Sequence, residues 1–255
     1  MTAGTPSKAI VAALFASTIA IAWIVASARV PPYILPSPVD VGKAALTFFT
    51  SGQKLGHLGA TLIHIFASIL IAFIAGALLA ITAHYAAWSA PAIHRRLSPF
   101  LNAFSGIGWT LLAVIWFGVS TATVVFTITI VLVPFGIINL REGLDALDRE
   151  LLDMGRSFGR GRVRNFVAIV LPALLPFSAA TLRIMFGVAW KVALTAELFG
   201  GGRGLGYMIN IARQDYDTAT IFTVILFIIV VVVVADRVLF LPLERYTSRH
   251  FGRAP

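Results

Sequence analysis

The chain has 255 residues, 58% of them hydrophobic and 12% charged, with a mean hydropathy of +0.90. A soluble domain averages ~25% charged residues, so this chain carries about half the charge that a water-facing surface needs and reads as a polytopic membrane protein. The absence of cysteine excludes a disulfide-stapled secreted domain. The formal charge of +9 reads as loop charge that sets membrane orientation, with no need to invoke nucleic acid.

A hydrocarbon core ~30 Å thick takes about 20 apolar helical residues to cross. The sequence predicts six such spans, at about Ile10–Ala28, Ala60–Ala83, Pro99–Phe117, Ala122–Asn139, Phe166–Leu198 and Ala219–Leu241. The runs are continuously apolar, which favours helices over the alternating pattern of barrel strands. Lys8 followed by an apolar run and Ala26-Ser27-Ala28 also fits a signal peptide, but the run is longer than the ~7–15 residues of such a core, and a retained span is expected. With the N-terminus inside, 13 basic residues fall in inner segments and five in outer ones. The positive-inside rule then puts both termini in the cytoplasm.

The longest inner loop, 140–165, holds five of the 11 acidic residues. Within it Leu144, Leu147, Leu151, Met154 and Phe158 recur at helical spacing and form one apolar stripe. Asp145 or Asp148 suits the start of this helix, Gly159 suits its end, and Arg156 and Arg160 complement the negative end of its dipole. The periodicity alone fits two roles: an interfacial helix on anionic lipid, or a helix docked in a groove of a soluble partner.

Asp153-Met154-Gly155, then Gly159, then Ile169, Leu171 and Pro172 reproduce the intervals of the "EAA" signature: E-A-A, three residues, G, nine residues, I-x-L-P. The chain thereby resembles the permease subunits of binding-protein-dependent ABC importers. It departs from the signature in Asp for Glu, Met for the first Ala and Gly for the second. Further segments resemble the nitrate, sulfonate and taurine branch: Leu35-Pro36-Ser37-Pro38, His57, Thr61-Leu62, Trp116-Phe117-Gly118, Leu182-Arg183, Ala189-Trp190, Ala196-Glu197 and Gly204-Leu205-Gly206-Tyr207. The resemblance implies an all-α membrane protein of the type I importer class, with six transmembrane helices and a cytoplasmic coupling helix between spans four and five. It implies a permease homodimer, two cytoplasmic ATPase subunits and a periplasmic or lipid-anchored binding protein. ATP and Mg would sit in the ATPase, with no cofactor or metal in this chain. Leu151, Asp153, Met154, Gly155, Arg156, Phe158 and Gly159 would then engage the ATPase, apolar stripe in the cleft and charges at its rim. The solute implied is a small anion such as a sulfonate, nitrate, taurine or an aromatic acid, moved by alternating access; similar chains also import vitamin precursors.

Arg183, Trp190 and Glu197 recur every seven residues along the fifth span, with Lys191 beside them, and all four are candidates for the pathway. Ionisable groups at membrane depth face a cavity or a partner. Arg183 and Lys191 either line the pathway or pair internally, for instance with Glu197. His64, Asn102 and Trp109 are further pathway candidates or structural hydrogen-bonding groups. The glycine-rich run at 200–206 lacks the Gly-Lys-Ser/Thr ending of a phosphate loop. It reads as a turn into a short helix at about Leu205–Ala212, and in this family Gly204, Leu205, Gly206 and Tyr207 would form the outer gate and meet the binding protein. Lys43 and Lys54 suit the same outer surface or a plainly solvated one. The expected organisation is an N-terminal span and connector (1–58), a permease core (59–245) and a cytoplasmic tail (246–255). A secondary transporter and a membrane-embedded enzyme are the rival classes; no internal repeat supports the first, and no catalytic set of polar residues supports the second.

Overall fold

The computed structural model describes residues 8–86, 88–147, 164 and 166–242. Every regular element among them is helical. In chain order these are α1 (Lys8–Ser27), α2 (Pro38–Thr50), α3 (Gly52–Tyr85), α4 (Ser98–Ala103), α5 (Gly106–Phe117), α6 (Thr121–Asp145), α7 (Leu171–Gly200), α8 (Leu205–Gln214) and α9 (Thr218–Ala235). Wider π turns lead into α4 (Pro91–Leu97) and α7 (Phe166–Val170), and another extends α9 (Asp236–Phe240).

The expected six-span architecture is not what these residues form. Four helices are long and apolar enough to cross a membrane: Gly52–Tyr85, Thr121–Asp145, Phe166–Gly200 and Thr218–Phe240. A fifth is reached only if Pro91–Ala103 and Gly106–Phe117, bent by 86°, are counted together. The break has a local cause, because Ser105 adopts an extended conformation and its hydroxyl accepts from the Gly108 N–H, starting a new helix. With 12 residues, α5 alone reaches about 18 Å at ~1.5 Å per residue, short of a ~30 Å core. Of α1, the stretch Leu14–Ser27 counts among the shorter apolar helices of the described residues. The fold is therefore an all-α, multi-span bundle with four or five crossing helices.

Helix α2 lies in what the sequence suggested was a connector. Ser37 caps it by accepting from the Asp40 N–H, Pro38 occupies its first turn, and Val41 and Phe48 bury one face. At the other end of the molecule, α6 runs on to Asp145. Leu144 is consequently a core residue of α6, packed with Leu140, Val170 and Leu174, and does not open a separate loop helix. Asp145 ends α6 in an exposed pair with Arg141 at 3.2 Å.

The core lies where α6 packs between α3 and α7, and Ile65, Ile128, Leu132, Ile137, Met185 and Trp190 are buried there. The α3–α6 backbones nearly touch at Gly76 and Gly136, where a Cβ on Gly76 would stand 2.8 Å from the Gly136 Cα. Small residues permit such approach between apolar helices, whose association gains little from burying hydrocarbon within hydrocarbon. The outward faces are apolar as well, with Ile63, Phe66, Leu70, Ile115, Ile229 and Val230 exposed. A contiguous apolar exterior of this kind suits lipid and partner helices.

Candidate functional site

The starts of α3 and α6 meet the end of α7 at one end of the bundle. The Ser120 N–H donates to the Gly200 carbonyl (3.0 Å), and the Gly204 N–H donates to His57 Nδ1 (3.2 Å). Glu197, fully buried on α7, is the hub. Its Oε2 accepts from the Thr61 hydroxyl and from the Gly206 N–H, both at 2.9 Å. Its Oε1 lies 2.8 Å from His64 Nδ1; a carboxylate only accepts, so that nitrogen carries the proton. Thr61 also accepts from the Leu205 N–H at 2.7 Å, while Thr121 Oγ1 stands 3.3 Å from His64 Nε2.

The 200–206 turn is thereby wrapped around one carboxylate and tied to α3. Gly204 permits this at φ +120°, a conformation that side chains rarely adopt, with its α-carbon against the Glu197 carboxyl group. Leu205 and Gly206 are buried in the turn. Tyr207 stacks near His57 (ring centroids 5.7 Å) and lines a cavity of about 350 Å³ with Lys54, Met208, Asp215 and Asp217. The structure thus brings His64 and Glu197 together with the loop expected at the gate.

Arg183 and Lys191 lie elsewhere on α7, beside a groove of about 570 Å³ against α9. Arg183 is paired with Asp236, Nε to Oδ1 at 2.7 Å and Nη2 to Oδ2 at 3.1 Å. An internal pairing of either cation with Glu197 is therefore not formed; Glu197 is taken by His64 and Thr61. Lys191 is exposed, and among the described residues no carboxylate lies within ion-pair distance of it. Trp190 is 2% exposed and packs edge-on against Phe186, with no partner among the described residues for its indole N–H. It is a core residue, turned away from the groove.

Asn102 is exposed at the opposite end of the bundle, lining a cavity of about 380 Å³ with His94, Arg141, Glu142 and Asp145. Trp109 is buried and donates to the Leu101 carbonyl (3.4 Å), bracing the bend between α4 and α5. Leu151, Asp153, Met154, Gly155, Arg156, Phe158 and Gly159 lie outside the described residues. Two partners were not anticipated. Asp236 is the one acidic residue of the last apolar run, a signal that it needs a cationic partner but not of which one. Thr121 follows the cap of α6 and carries no such signal.

The sequence matches the family of binding-protein-dependent transport system inner membrane components over residues 63–241. The chain belongs to this family and is a multi-pass inner-membrane permease subunit, a transport component with no enzymatic role of its own. It is 29% identical over 209 residues to a probable ABC transporter permease protein of Brucella melitensis, covering 81% of this chain and 83% of that one. It is 27% identical over 201 residues to the taurine transport system permease protein of Escherichia coli, covering 75% and 72%. The inward-facing MetNI methionine ABC transporter shares its fold at a TM-score of 0.61 and 16% identity, over 78% of this chain and 94% of that one.

Proposed function

We propose that this permease is the pathway-forming subunit of an ATP-driven importer for a small anion, working as a homodimer with two ATPase subunits and a substrate-binding protein. The observation that carries the reading is the family match over residues 63–241, beside the Glu197 clamp that ties the 200–206 loop to one end of the α3–α6–α7 core. Relatives named for taurine, aliphatic sulfonates and bicarbonate transport support the anion class. The clamped end faces the periplasm in this reading, and His57, Lys54 and Tyr207 offer the binding protein a polar surface there. The other end, with Arg95, Arg96, Arg141, Arg164 and Arg237, faces the cytoplasm together with both termini, as the positive-inside rule favours. Residues Leu151 to Gly159 engage the ATPase, on the strength of the signature intervals that they match.

Co-purification of the ATPase with the tagged permease tests the coupling assignment. Gly159→Trp and Asp153→Lys are each expected to reduce the recovered ATPase at least tenfold, while the permease remains in the membrane. Normal assembly and ATP-dependent uptake in both variants would refute the assignment. Uptake that follows an ion gradient and ignores ATP depletion would refute the importer reading as a whole.

A further inference from the structure

Three groups at the α7–α9 groove carry charge, and their arithmetic is uneven. Arg183 and Asp236 cancel through two hydrogen bonds. Lys191 remains, exposed and without an acidic neighbour in ion-pair range among the described residues. Arg183, Gly187 and Lys191 follow one another at i, i+4 spacing and so form a single row on the helix surface. Gly187, in the middle of the row, has open space where a side chain would begin. Among the described residues, the open space at Gly187 therefore lies between a neutralised cation and an unpaired one.

Position adds a second constraint. Along α7, Lys191 lies about 14 Å from Gly200 and Arg183 about 26 Å, at ~1.5 Å per residue. With Gly200 taken as the outer boundary of a ~30 Å hydrocarbon core, Lys191 falls near its middle. An unpaired ammonium at that depth is costly against lipid and is retained where it faces a water-filled path or a ligand.

We infer that the α7–α9 groove is an anion subsite of the translocation path, in which Lys191 supplies the attracting charge and Arg183, held by Asp236, supplies none. This rests on the reading of the chain as an anion importer and adds to it the residue that selects for charge. The occupant is a small solute bearing a sulfonate, carboxylate or similar anionic group. The apolar flank of Ile184, Val188 and Val232 would hold its hydrocarbon part.

Because the chain has no cysteine, one introduced thiol reports on the groove. Gly187→Cys is made in the full transporter with its ATPase and binding protein in membrane vesicles, with Ile184→Cys as an independent second reporter. Each is modified with methanethiosulfonates of matched size, one bearing a sulfonate and one a trimethylammonium. Both reagents are expected to react, with the ratio of anionic to cationic rate falling about tenfold on adding Lys191→Gln and preserved by Lys191→Arg. Asp236→Asn is expected to raise the ratio by removing the negative charge that pairs with Arg183 at the groove. The inference is overturned if both reporters react with a lipid-soluble maleimide but with neither charged reagent, or if Lys191→Gln leaves the ratio unchanged. Binding-protein-stimulated ATP hydrolysis in the same vesicles separates the two levels. Its presence with an unchanged ratio removes the role of Lys191 alone; its absence from the unsubstituted transporter removes the importer reading beneath it.

Discussion

Fewer than two turns of α7 separate Glu197 from Lys191, and the two charges are treated in opposite ways. Glu197 is wholly buried and accepts from His64, Thr61 and the Gly206 N–H, so its carboxylate is fully occupied within the chain. Lys191 is exposed beside a groove and has no comparable set of partners among the described residues. Burying a charge is tolerated when hydrogen bonds replace its lost water, and a charge satisfied in that way has little left to offer a ligand. The carboxylate therefore reads as architecture that holds the outer loop. The ammonium has no acidic partner among the described residues and, in the proposed subsite, is available to a solute.

The contrast is broken most forcefully at Glu197. Glu197→Leu removes the acceptor and strands the His64, Thr61 and Gly206 donors in an apolar interior, which is expected to cost about 3–5 kcal/mol. Lys191→Met is expected to change stability by no more than about 0.5 kcal/mol, as for a surface site without internal partners. Thermal unfolding of the detergent-solubilised complex, followed by tryptophan fluorescence, ranks the two. Equal losses would mean that Lys191 has a structural partner and that the distinction between the two charges is wrong. Gly204→Ala tests the same clamp from the loop side. It forces a side chain into the φ +120° conformation and against the Glu197 carboxyl, with an expected loss of about 2–3 kcal/mol.

Asp236→Asn sharpens the comparison at an intermediate magnitude. The Arg183–Asp236 pair is about one-third exposed on each side, so water replaces part of what the substitution removes. A loss of about 1–2 kcal/mol is expected, near the lower range for hydrogen bonds between charged groups. The double variant Arg183→Met with Asp236→Leu is expected to recover most of that loss in the same unfolding assay, since it leaves neither charge stranded. A double variant no more stable than Asp236→Asn would show that Arg183 contributes beyond its pair.

The positions of Glu197 and Lys191 also show how far the sequence could be read. Apolar runs located α3, α6, α7 and α9, because a helix that meets lipid must be apolar over its whole length. The run at 99–117 has the same composition, but Phe104 and Ser105 turn the chain there, and hydropathy averaged over a window does not register a cap. Helix α2 was missed for the converse reason: Val41 and Phe48 bury only one face of a short helix. At the site, the spacing of Arg183, Trp190 and Glu197 put three informative residues on one helix but left the partners of Glu197 open, with Arg183 or Lys191 only one alternative. Helical periodicity describes one element at a time. The pairing of Glu197 with His64, 133 residues away, and of Arg183 with Asp236 depends on which helices become neighbours, and a single sequence does not encode that in any local pattern.

The smallest expected effect separates shape from stability at the groove. Gly187 sits inside α7, where glycine costs about 1 kcal/mol of helix propensity relative to alanine, and none of the described residues stands within 4 Å of where its Cβ would be. Gly187→Ala should therefore raise stability by up to about 1 kcal/mol, a rise of a few degrees in the unfolding midpoint. The space above Gly187 is therefore the property to test. Gly187→Leu fills that space between Arg183 and Lys191 while keeping good helix propensity. Its stability is expected to match that of Gly187→Ala within about 0.5 kcal/mol, with ATP-dependent uptake falling by tenfold or more and binding-protein-stimulated ATP hydrolysis persisting. Uptake unaffected by the leucine would place the solute's route on another face of α7 and leave the groove a feature of packing.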